Sequence, residues 1–200
     1  MKIVVKEKNK EFFDECMFVQ MNIRYVMKKP HRKVWYARKY CLSWAAVALA
    51  AILLILSNGL LHGIRVPEIF FIMFFGYYAF ILIYNYFVIN KNVNSYMNDE
   101  TLENTFEITK EHISLENKKQ NIELSFDSIK YIIINKETIS FIPKEINATS
   151  IVMFISTKYK EDVMTALKKY KKEELVIDNS KLYKYEHNRV LFLFYLLYLI

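Results

Sequence analysis

The sequence predicts a membrane α-helical hairpin joined to an α+β cytoplasmic domain, the latter a small antiparallel sheet with a C-terminal helix. Two charge-free apolar stretches, Cys41 to Ile64 and Ile69 to Asn90, lie close together in the chain. The net charge of +7 is carried entirely by the residues before the first stretch. Beyond Asn90 the composition turns polar, with short apolar runs between turn-forming residues. The 54% hydrophobic and 24% charged residues are therefore segregated into blocks, as in a membrane protein.

Residues 1–40 form a basic amphipathic arm. Ile3, Val4 and Val5 make a short strand-like run, after which Phe12, Cys16, Val19, Ile23 and Val26 recur at the spacing of one helix face, ended by Pro30. The arm holds eleven Lys or Arg against Glu7, Glu11, Asp14 and Glu15, whereas residues 91–189 hold sixteen of each sign. Basic character this local excludes a nucleic-acid surface spread over a domain. Lys28, Lys29, Arg32, Lys33, Arg38 and Lys39, with Lys118 and Lys119 further on, are candidate contacts for anionic lipid. Each basic residue near such a surface is worth about 1 kcal/mol. Topogenic charge is the competing explanation of the same cluster.

Residues 41–90 form the hairpin. Crossing a hydrocarbon core of ~30 Å takes about 20 apolar residues, and both stretches suffice. The connection Asn58 to Glu68 contains Gly59, Gly63 and Pro67 as turn formers. Arg65 is its single Lys or Arg, so the positive-inside rule places the N-terminus in the cytoplasm, and two crossings return residues 91 onward to that side. Trp35, Tyr36, Tyr40, Trp44, Tyr84 and Tyr86 suit an interfacial belt there. Ala46 and Ala50 have the small-x-x-x-small spacing of a helix–helix contact, with the second helix as the nearest partner and a second copy as the alternative.

Residues 91–185 read as the sheet-plus-helix domain. Phe106 to Thr109, His112 to Glu116 and Ile122 to Phe126 are strands, with Lys118 to Gln120 as a turn. Ile129 to Ile134 and Thr138 to Ile142 make a second hairpin around Asn135, Lys136 and Glu137, and Ser150 to Ile155 is a further strand. Lys158 to Lys172 is a helix with Val163, Ala166, Leu167 and Tyr170 inward. This order resembles a pleckstrin-homology-like half-barrel in architecture. Residues 186–200 are a hydrophobic C-terminal segment. Its Val190 to Ile200 would cover only about 16 Å as a helix. It reads as an interfacial or docking segment or, favoured by its basic approach, as the opening of a third span in a longer chain.

Chemistry is not evident. His31, His62, His112 and His187 have no metal-ligand spacing, Cys16 and Cys41 form no C-x-x-C pair, and three glycines leave no phosphate-cradling loop. Asn147-Ala148-Thr149 matches a glycosylation sequon on the side expected to be cytoplasmic. No cofactor, metal or catalytic set is expected, and the chain reads as a non-enzyme.

The order of parts resembles the YcxB-like family of small bacterial membrane proteins. The resemblance is carried by the N-terminal strand and helix with Phe12 and Phe13, the basic approach Lys28 to Lys39, the two spans, Phe126-Asp127-Ser128-Ile129 leading into strands, and Ile142-Pro143-Lys144. In the family the Ile-Pro-Lys element directly precedes the last helix, and here Ser150 to Ile155 intervenes. The resemblance implies a multi-pass protein of the bacterial cytoplasmic membrane and carries over no catalytic residue. The expected function is a membrane-anchored module whose cytoplasmic domain binds a protein or lipid headgroup at the inner leaflet. The alternative is an accessory subunit of a transporter or signalling complex, partnered by another membrane protein or itself.

Overall fold

The computed structural model describes residues 1–7, 9–98, 103–117, 121–146 and 152–183. Lys118, Lys119, the turn around them, the sequon, the start of the Ser150 strand and the segment Val190 to Ile200 lie outside the described residues.

The chain forms two compact units, one of residues 1–34 with 99–200 and one of residues 35–98. Residues 1–34 of the basic arm therefore group with the α+β unit and residues 35–40 with the helical unit, which is an insertion within the other unit's sequence. Strand β1 (Lys2–Val5) pairs antiparallel with β2 (Asn104–Ile108), placing Ile3 opposite Phe106. Strands β3 (His112–Glu116) and β4 (Asn121–Ser125) complete a sheet of order β1-β2-β3-β4.

The second sheet has the order β7-β6-β5-β8. It contains β5 (Ile129–Ile134), β6 (Thr138–Pro143), β7 (Met153–Ser156) and β8 (Val176–Asp178). The two expected β-hairpins are present and antiparallel. Strand β8 is an element the sequence reading lacks, and it runs parallel to β5. Three residues are too short a run for periodicity to reveal, and their pairing with β5 joins positions over forty residues apart.

Period-two alternation gives the second sheet two distinct faces. Ile132, Ile134, Ile139, Phe141, Met153 and Ile155 join Ile3, Val5, Phe106, Ile108 and Ile113 of the first sheet in one core. Helix α5 (Lys160–Lys169) adds Val163, Ala166 and Leu167 to it. The helix is shorter than the expected Lys158 to Lys172. A 3-10 turn at Thr157–Tyr159 precedes it, and Lys171 ends it with a positive φ of 56°. The opposite face of β6 is also buried, because α1 (Lys10–Met21) packs on that strand.

The arm helix breaks at Asn22 into α1 and α2 (Ile23–Lys28). Phe12, Phe18 and Val19 are buried along α1 and Val26 along α2, so the expected face is found with Phe18 added. Asp14 and Glu15 are buried beside them.

In the helical unit, α3 (Ala37–His62) and α4 (Val66–Asn98) are both long and apolar enough to cross a membrane. Their rises of about 39 and 50 Å exceed the hydrocarbon thickness. Only 17% of the most apolar stretch of α3 and 11% of that of α4 are buried within the molecule, unlike a soluble core helix. The turn is tighter than Asn58 to Glu68. Gly63 ends α3 at φ 81°, a conformation that favours glycine, and Pro67 sits in the first turn of α4, where its missing N–H costs nothing. Glu68 Oε2 accepts the Arg65 N–H at 2.9 Å across the turn.

The seam between the helices also differs from expectation. Ala37, Cys41, Ala45, Ala48 and Gly59 are the buried residues of α3, with Ala79, Leu82, Ile89 and Val93 buried on α4, while Ala46 and Ala50 are exposed. The pair Ala46 and Ala50 is therefore not the contact with the second helix. Ala45 and Ala48 are three positions apart and Cys41 and Ala45 four, so all three share one helix face, and that is the face α4 covers.

Candidate functional site

The expected lipid contacts divide into three groups. Lys28, the last residue of α2, is exposed, as are Lys29 and Arg32 in the loop that follows, where Lys33 is half-buried. Arg38 and Lys39 belong to α3, where Arg38 Nη1 donates to Asn90 Oδ1 of α4 at 3.2 Å and Lys39 Nζ lies 4.6 Å from the Tyr36 ring centroid. Arg38 thus ties the two helices of the hairpin together near their polar ends. Lys118 and Lys119 lie outside the described residues.

The Lys28–Lys33 loop is held from far along the sequence. Asn179 is buried, and its own N–H extends the β5 ladder by donating to the Ile134 carbonyl at 2.8 Å. Its side-chain amide donates to the carbonyls of Pro30 at 2.7 Å and Arg32 at 3.3 Å. Tyr183 grips the end of the loop. Its Oη accepts the Val34 N–H at 3.0 Å and donates to the Val34 carbonyl at 3.3 Å, beneath Lys33 Nζ at 5.2 Å from the ring. These bonds satisfy backbone groups that Pro30 and the end of α2 leave without helical partners. Sequence reasoning missed Asn179 and Tyr183, since neither lies in a motif and both act at a separation of about 150 positions.

A second polar cluster lies between α1 and the second sheet. Glu15 and Asn135 are each 1% exposed, and Thr138, Ser140 and Ser156 are buried with them. The Glu137 N–H donates to Glu15 Oε2 at 2.8 Å, and Asn135 Nδ2 donates to Thr138 Oγ1 at 3.3 Å. Thr138 and Ser140 share a hydroxyl contact at 3.4 Å. Glu15 Oε1 and Asn135 Oδ1 have no hydrogen-bond partner among the described residues.

Charges near the rim of this cluster are compensated. Asn9 Nδ2 donates to Glu137 Oε2 at 3.0 Å, and Lys158 Nζ reaches Glu7 Oε1 at 3.2 Å. Burial pushes the Glu15 carboxyl up to about 8, and the neighbouring Glu137 charge adds to the rise against the hydrogen bonds that oppose it. Burial likewise pushes the Cys16 thiol well above its ordinary value, with Glu15 beside it working in the same direction. A thiol held in that form is a poor nucleophile. The helix-face pattern of the arm places Cys16 correctly on the inner side but gives no sign that Glu15 is buried, because a charged residue in an arm reads as solvated.

No group of three or more His, Cys, Asp or Glu able to hold a metal occurs among the described residues. The Glu15 carboxyl, the Asn135 amide and the Thr138 and Ser140 hydroxyls lie where α1 packs on the second sheet. No protein-family model, curated protein or solved structure matches the chain.

Proposed function

We propose that the chain is a non-enzymatic module anchored in the membrane by α3 and α4, with its α+β domain binding a protein or lipid headgroup at the inner leaflet. The pairing of β1 with β2 carries this reading. The domain is assembled from chain on both sides of the hairpin, so the hairpin must leave and return on one side of the membrane. Two spans meet that condition. The outward side chains of the helices supply the apolar surface, with Leu54 71% and Phe80 67% exposed. The basic approach to α3 orients the domain toward the cytoplasm. The pleckstrin-homology-like and YcxB-like resemblances belong to the same reading, to which the parallel β8 is an addition.

Because the Cys16 thiol is held protonated, sidedness is best read from cysteines introduced at exposed positions. His62→Cys in the hairpin turn is expected to react with an impermeant maleimide on intact cells, and Lys168→Cys in α5 is expected to react only after lysis. The reverse pattern, or release of the chain by alkaline carbonate, overturns the reading. A second reading, as an accessory subunit, is favoured by exposed Ala46 and Ala50 one helical turn apart. Crosslinking in native membranes that recovers only monomer counts against it.

A further inference from the structure

We propose that the loop Lys28 to Val34 is a preformed site for the phosphate of an anionic membrane lipid. This rests on the membrane-anchored reading above and names the ligand and the residues. Topogenic charge needs cations near a span but no particular shape, so an unfolded basic tether would serve. The loop is instead built. Asn179 fixes its backbone at Pro30 and Arg32, and Tyr183 fixes both backbone groups of Val34. Asn179 is itself fixed through the β5 ladder to the core of the domain. The ordering that lipid binding would otherwise require is already present in the fold, which is how preorganisation raises affinity.

The charge around the loop has one sign. From Arg24 to Val34 and from Asn179 to Tyr183 there is no Asp or Glu, and Arg24, Lys28, Lys29, Arg32, Lys33 and Lys181 supply six cations. Arg24, Lys28, Lys29, Arg32 and Lys181 are exposed, and Asp178 just before this patch is engaged by Lys160 at 2.7 Å. Arg32 offers the planar fork that suits a phosphate, and the lysines offer point charges around it. An anionic bilayer is favoured over an acidic protein by the sequence that follows. Three residues, the exposed Trp35 among them, separate Lys33 from the first residue of α3. A chain inserted through α3 brings this loop to the headgroup layer without any further partner.

The test uses the full chain, purified in mild detergent with equal amounts of phosphatidylglycerol and phosphatidylcholine, and reads the bound lipid by native mass spectrometry. Phosphatidylglycerol is expected to be retained over phosphatidylcholine by about tenfold or more, since two of the basic residues already suffice for that ratio. Lys28→Gln, Lys29→Gln and Arg32→Gln together change only exposed side chains and are expected to bring the ratio near one. Tyr183→Phe leaves every charge in place and releases Val34, and is expected to lower the ratio several-fold while the far-ultraviolet circular dichroism is unchanged. Excess inorganic phosphate is expected not to displace the lipid. Equal retention of the two lipids by the unaltered chain, an unchanged ratio in the triple variant or in Tyr183→Phe, or displacement by inorganic phosphate each overturns the proposal. Loss of the chain from membranes in alkaline carbonate instead strikes the anchor reading, and the lipid ratio in detergent is measured independently of it.

Discussion

In the α+β unit the large aliphatic and aromatic side chains point inward, with Ile108, Ile132, Ile139 and Phe141 fully buried between two sheets. In the helical unit most of the large side chains are exposed, with Leu82, Ile89 and Val93 of α4 as buried exceptions. Small residues such as Ala45 and Ala48 are buried where α3 and α4 pack, and Leu54, Leu60, Phe70 and Phe80 face outward. The same preference for removing apolar surface from water is met internally in one unit and is left unmet within the molecule by most of the apolar side chains of the other. The difference teaches that polar groups mark the exceptions worth testing in each unit. These are the Glu15 seam in the first and the Arg38–Asn90 contact in the second.

The contrast is tested most directly by truncating one large side chain in each unit. Phe141→Ala is expected to destabilise the α+β unit by about 3–5 kcal/mol, as other buried aromatics do. Leu54→Ala, on the outer side of α3, is expected to leave the melting of that unit unchanged. Calorimetry of the full chain in detergent micelles reads both, and equal losses break the comparison.

Glu15 sharpens it next. A carboxyl whose folded pKa is raised from 4.5 to about 8 contributes stability that is fully present below pH 4.5 and falls as pH rises toward 8. Glu15→Gln removes that dependence and is expected to raise stability by about 3 kcal/mol at pH 7. Denaturant midpoints across this range are the measurement, and parallel pH profiles for the two chains would exclude a neutral buried Glu15. Asp178 works in the opposite sense. Its partial burial favours the neutral form, but hydrogen bonds from Lys160 and Ser180 outweigh that and hold its carboxyl below the usual value. Its contribution is lost only as pH falls through the acid range.

Smaller effects are expected at two helix ends. Gly63→Ala forces a side chain into a φ of 81° and is expected to cost the helical hairpin about 1–2 kcal/mol, read as faster proteolysis at the turn. Lys171→Gly relieves the positive φ of 56° after α5 and is expected to stabilise the α+β unit by about 0.5–1 kcal/mol in the same calorimetric measurement.

Much of the fold was legible because its signals are local. The absence of charge over more than twenty residues identifies α3 and α4, and the runs at His112 to Glu116 and Ile129 to Ile134 match β3 and β5. The candidate loop was legible only as composition. Lys28, Lys29, Arg32 and Lys33 stood out as charge, and nothing in the sequence indicated that Asn179 and Tyr183 hold their backbone.

The sequence by itself determined where apolar and charged blocks lie, and with them two membrane-length helices, most strands and the basic approach to the first helix. Tertiary structure decided that the arm completes the domain across the hairpin, that Glu15 is buried, that β8 joins β5 in parallel, and that Ala45 and Ala48 rather than Ala46 and Ala50 form the seam. The reason is range. Periodicity and charge are properties of neighbouring residues, whereas each of these outcomes depends on a partner brought close only by folding.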